Sequence, residues 1–177
     1  MKFFTPELYA RFVSNNDRIA DRAQIEWERA LDSYGARLRR IRPELPRGIR
    51  RLVDELRLHD AVLLHEISFG NRCLLTLRLE SPDDHIVVLD YKTTEPPESM
   101  PVPLPPEALS ESPLFVFDEI ERIGSRNGKP VFQHSILFGH GHLFVIRCLD
   151  VRISIGEEVL PLAGELTAAS AARFNLN

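Results

Sequence analysis

Near residue 58 the hydrophobic period of this chain changes from about 3.6 residues to 2, and that change sets what it can build. Ahead of the change, Ile19, Ala23, Trp27, Ala30, Leu31, Tyr34, Leu38 and Ile41 recur three and four residues apart. That spacing lines one face of an amphipathic helix, which we place over 17–42, with Gly35 as a weak point and Pro43 and Pro46 as stops. Thr5 is a natural N-cap and Pro6 fits the first helical position, so a short helix over 6–14 precedes it. Ile49, Leu52, Val53 and Leu56 mark a third helix over 46–56.

Past residue 58 apolar and polar residues alternate in three segments, His59 to Phe69, Arg72 to Glu80 and His85 to Thr93. The gaps between them, Gly70-Asn71 and Asp83-Asp84, are too short for crossover helices, so the strands are antiparallel neighbours in a meander. A second meander runs from Leu114 to Ile123, Val131 to Phe138 and Leu143 to Ile155, with Asn127-Gly128 and Gly139-His140-Gly141-His142 at its turns. Between the meanders, residues 94–113 hold seven of the thirteen prolines and read as a connector. Beyond residue 157 lies a tail with a short helix expected over 165–173. The expected fold is α+β, with N-terminal helices packed on an antiparallel sheet of two three-stranded meanders. Trp27, Tyr34 and Leu38 are expected to rest on sheet residues such as Leu63, Leu77, Val88, Phe144 or Ile146.

At 177 residues this is a single domain, in which a helical region over residues 1–57 is followed by a first meander over 58–93, the proline-rich crossover over 94–113, a second meander over 114–156 and the tail over 157–177. Two cysteines, Cys73 and Cys148, are too few for a disulfide scaffold or a zinc ribbon, and free thiols suit a reducing compartment. No apolar run approaches eighteen residues, so the expected location is cytoplasmic with no membrane partner. The nine glycines form neither a dinucleotide-binding nor a P-loop pattern, so no cofactor is expected.

Three local patterns carry a resemblance: the opening Met1-Lys2-Phe3-Phe4-Thr5, the strand start Leu58-His59-Asp60-Ala61, and Phe117-Asp118-Glu119 with Phe132-x-His134-x-Ile136-Leu137-Phe138. In that order they resemble a bacterial domain-of-unknown-function family of small cytosolic proteins. Such a family has no established activity, so the resemblance implies no catalytic residue. The Leu-His-Asp-Ala opening is also similar to segments in small bacterial immunity-type proteins, which implies protein binding.

Three constellations could carry chemistry. If Asn127-Gly128 and His140-Gly141 are both two-residue turns, Glu121, His134 and Arg147 fall side by side on adjacent strands. A histidine between a carboxylate and a guanidinium could act as acid or base, or the row could be a polar ladder that fixes register. His140 and His142, two apart on one strand face, could share a metal, but a site needs a third ligand. Between Arg37 and Arg57 lie eight arginines and three acids, a local +5 in a chain of net −4, which leaves the remainder at −9. Arg37, Arg39, Arg40, Arg47, Arg50 and Arg51 are therefore the expected partner-binding residues. A pI near 5.9 and nineteen arginines to three lysines argue against nucleic acid, and the other reading of the stretch is a solvated helix face paired to the acidic remainder of the chain. The expected function is a non-enzymatic protein-binding, immunity or accessory factor. The alternative is a hydrolase or metal-dependent enzyme using His134, Glu121 and Arg147, or His140 and His142.

Overall fold

The first two helices begin at residues whose side chains satisfy a free N–H group of the first turn. In the computed structural model, which describes residues 1–79 and 85–156, Thr5 Oγ1 accepts the Leu8 N–H at 3.2 Å and opens α1 (Pro6–Phe12). Asn16 Oδ1 accepts the Ile19 N–H at 3.3 Å and opens α2 (Asp17–Ile41), which passes through Gly35 unbroken. A 3-10 turn, Arg42–Glu44, then leads to α3 (Arg47–Glu55). No local side chain caps α3. Asp150, far along the chain, does so: its Oδ1 accepts the N–H groups of Gly48 at 3.1 Å and Ile49 at 3.3 Å.

The first meander forms as expected: β1 (Val62–Phe69), β2 (Arg72–Arg78) and β3 (Ile86–Thr93) pair antiparallel in turn. The second comprises β5 (Phe115–Arg126), β6 (Lys129–Phe138) and β7 (His142–Gly156). A short strand in the connector, β4 (Glu98–Pro101), was not expected; it takes up the line of β3 along β7 after the break at Pro96-Pro97. The strand order is β1-β2-β3-β7-β6-β5, so the two meanders join through β3 and β7 into one antiparallel sheet. The expected turn at Asp83-Asp84 and the expected tail helix over 165–173 lie outside the described residues.

The two strands at opposite ends of this order meet. Phe115 N–H donates to Ala61 O at 2.8 Å, Asp60 N–H to Phe115 O at 2.9 Å and Leu63 N–H to Pro113 O at 3.0 Å. The sheet therefore curls round and is pinned shut at the start of β1 and β5. Inside it lie Leu75, Leu77, Leu89, Tyr91, Phe115, Phe132, Ile136 and Ile146, and Ile41, Leu45, Ile49 and Leu52 from the end of α2 through α3 complete that core.

A second, smaller cluster gathers Phe4, Leu8, Ala23 and Trp27 over Phe117. Here one expectation needs correction. Trp27 rests on Phe4, Phe12 and Phe117, at ring-centre distances of 5.0, 4.9 and 4.3 Å, and not on the middle strands. Tyr34 Oη likewise accepts the Ile120 N–H of β5 at 2.7 Å. Helix α2 follows β5 because that strand's outer backbone edge lacks a strand partner past the pinned end, and the tyrosine hydroxyl satisfies one of its donors.

Candidate functional site

The row Glu121, His134, Arg147 does not form. Asn127 and Gly128 do adopt positive φ, 52° and 74°, and Arg126 pairs with Lys129 as the two-residue turn requires. Past that turn a bulge between Arg122 and Gly124 slips the ladder by one residue, so Glu121 faces Gln133 and His134 faces Ile120. The next turn is three residues long, Gly139 to Gly141, with Gly141 at φ 82°, and the second ladder slips by one as well. Arg147 therefore also faces Gln133. Because successive side chains point to opposite faces, the slips leave Glu121 and Arg147 on the outer face with Gln133, while His134 points into the core with Ile120 and Ile146.

His134 is 1% exposed there. Its Nε2 lies 3.0 Å from Asp118 Oδ2 and its Nδ1 2.8 Å from Tyr91 Oη. A carboxylate only accepts, so Nε2–H donates to Asp118, and in the neutral tautomer this fixes, Nδ1 accepts the Tyr91 hydroxyl proton. Complete burial drives the Tyr91 hydroxyl well above its ordinary range and keeps it protonated. Both ring nitrogens are committed. The arrangement holds two protons in place among three side chains and offers no nitrogen to a substrate.

Glu121 and Arg147 have separate duties. Glu121 lies 3.5 Å from Arg37. Arg147 binds Glu95 at 2.7 Å and Glu98 at 2.6 Å and so straps the proline-rich connector to β7. His140 and His142 do share a face, their rings stacked 4.7 Å apart with 14° between planes. Burial and the neighbouring His142 both lower the pKa of His140, and Ser99 Oγ stands 3.4 Å from His142 Nδ1. Among the described residues no three His, Cys, Asp or Glu side chains are grouped to hold a metal ion. The thiols of Cys73 and Cys148 are pushed up to about 12, chiefly by burial, which leaves them protonated and unreactive.

Of the six arginines expected to bind a partner, three are occupied. Arg37 lies against Glu121, Arg50 Nη2 donates to Leu45 O at 3.1 Å, and Arg51 pairs with Glu55 at 2.8 Å. Arg39, Arg40 and Arg47 are exposed at the corner where α2 turns into α3.

Two features escaped the sequence. Glu119, 5% exposed, accepts the N–H groups of Lys2, Phe3 and Phe4 at 2.7, 2.7 and 2.6 Å. Nothing in Phe117-Asp118-Glu119-Ile120 marks one acid of the pair for burial, because its partners are backbone groups over a hundred positions away. The second is a cleft of about 420 Å³ where α1 and α2 meet the start of β5, with Tyr9, Phe12, Trp27 and Phe117 in its wall and His59 and Asp60 at its rim. His59 Nδ1 lies 2.8 Å from Val116 O, so that nitrogen carries the proton and donates. A hollow of about 360 Å³ elsewhere has its acids engaged, Asp90 by Arg72 and Asp150 by the start of α3.

No protein-family model matches this chain, and no curated protein matches it.

Proposed function

We propose that this is a non-enzymatic protein-binding factor, of the bacterial cytosolic immunity or accessory kind, which docks an acidic segment of its partner against the corner between α2 and α3. The observation that carries this reading is the charge imbalance at that corner. Arg39, Arg40 and Arg47 are exposed in a chain whose net charge is −4, whereas Arg37, Arg42, Arg50 and Arg51 are each neutralised or bonded within the fold. Guanidinium groups held on helix ends suit bidentate contact with carboxylates. Enclosure of His134 and the raised thiols favour binding over catalysis. The proline-rich connector is the weaker docking surface, because its backbone is already spent on the sheet: Val102 N–H donates to Gly141 O at 2.9 Å and Ser110 N–H to Gly139 O at 2.7 Å.

Affinity capture from the native lysate, followed by rebinding of the two purified proteins, tests the reading. A stoichiometric acidic partner should bind, and reversing Arg39, Arg40 and Arg47 to glutamate should weaken it by about tenfold or more, most strongly at low salt. Absence of a partner at every salt concentration, or a partner indifferent to the triple reversal, overturns it.

A further inference from the structure

The aromatic cleft between α1, α2 and the start of β5 has a lining with one permanent charge, the carboxylate of Asp60, and no lysine or arginine. That carboxylate's side chain is 66% exposed, and its near neighbour is His59 Nε2 at 3.7 Å, which bears charge only when protonated. Tyr9, Phe12, Trp27 and Phe117 share the lining with Asp60, and three of these rings pack on one another. Trp27 stands edge-on to Phe117 at 4.3 Å and tilts against Phe12 at 4.9 Å. Burial and the Asp60 charge both raise the Tyr9 hydroxyl, which puts the carboxylate within electrostatic reach of the ring wall. At about 420 Å³ the space falls within the range of small-molecule sites.

Ring faces carry negative potential, so walls of this kind attract a cation with an apolar skin, and a carboxylate at the rim adds to that preference while repelling anions. We propose that this cleft binds a small organic cation of the alkylammonium class, its apolar body among Tyr9, Phe12, Trp27 and Phe117 and its charge toward Asp60. Such a site needs no partner protein and is independent of the arginine corner.

Trp27 is the only tryptophan in the chain, so its emission reports on the cleft directly. Choline and its uncharged isostere 3,3-dimethyl-1-butanol, titrated separately into the full chain, isolate the effect of charge at constant shape. Choline should shift the emission saturably, with the alcohol about tenfold weaker. Asp60 sits at φ 66°, a conformation asparagine also tolerates, so Asp60→Asn should leave the melt unchanged yet weaken choline by about tenfold. Phe12→Leu, which keeps apolar volume and loses a ring, should weaken it as well. No saturable response to choline, equal binding of the alcohol, or an Asp60→Asn variant that binds choline like the parent overturns the proposal.

Discussion

Single residues far apart in the chain fix this fold, and Glu119 is the clearest case. Three backbone donors converge on one buried carboxylate, and charge-assisted bonds of this kind contribute more than neutral ones. Glu119→Gln removes the charge and turns an amide NH2 toward N–H donors, so it should cost about 3 kcal/mol in urea unfolding and release the amides of Lys2, Phe3 and Phe4 to fast hydrogen exchange. Unchanged exchange at those amides would show that the first residues are held by their rings alone. The cysteines give a pH dependence with a definite sign. Both thiols bind their protons more tightly folded than unfolded, with folded values of about 12. Their contribution to stability is therefore intact below about pH 8.5 and declines as the pH rises toward 12. The urea midpoint should fall across that window, and less steeply in the Cys73→Ala, Cys148→Ala double variant. Tyr34 and Tyr91, both raised by burial, leave a residual slope in the same direction. At pH 8 without denaturant neither thiol should react with an aromatic disulfide reagent; full reaction would place them at the surface.

Elements meet at two contacts whose disruption differs in kind. Gly48 lies where a Cβ would stand 1.6 Å from Val151 O, a backbone atom that no rotamer change can move aside. Gly48→Ala should therefore force α3 off the stretch of β7 beyond β6 and cost about 3 kcal/mol, read as a lower thermal midpoint. Trp27→Ala instead empties the smaller core, where Trp27 is 5% exposed, and should cost about 3 to 5 kcal/mol. An unchanged melt would refute the seating of α2 on β5. At this scale the chain is largely legible: the spacing from Ile19 to Ile41 and the caps Thr5 and Asn16 fix the helices, and alternation past residue 58 fixes the strands. Register is not. The bulge near Ile123 and the third residue of the Gly139 to Gly141 turn leave little compositional trace, yet each displaces every side chain beyond it to the opposite face. That is why Glu121, His134 and Arg147 look like neighbours in sequence and are not. The cleft is illegible for a related reason: Tyr9, Trp27, His59 and Phe117 come from four separate segments that only the closed sheet brings together.

Because β7 is shared, the whole molecule should unfold as one cooperative unit. Its first half lies between β6 and β4, and its second half between β3 and α3. Loss of β7 would sever both meanders and uncap a helix, so aromatic and backbone signals should report a single coincident unfolding transition. Two separate transitions would mean that each meander holds its own core. The opening residues, the turn before β1 and the middle of β6 also converge at this scale. Phe4 meets Phe117 at 4.9 Å, His59 binds Val116 O, and His134 reaches Asp118, all within one short stretch of β5. The chain is made in the order of its numbering, and the shared strand emerges after every other strand described. Until residues near 150 leave the ribosome, β3 offers a bare edge to the crowded space outside the exit tunnel, and the finished first half must be kept from pairing with strangers. Shielding of that edge by a chaperone during synthesis should therefore raise the yield of native protein.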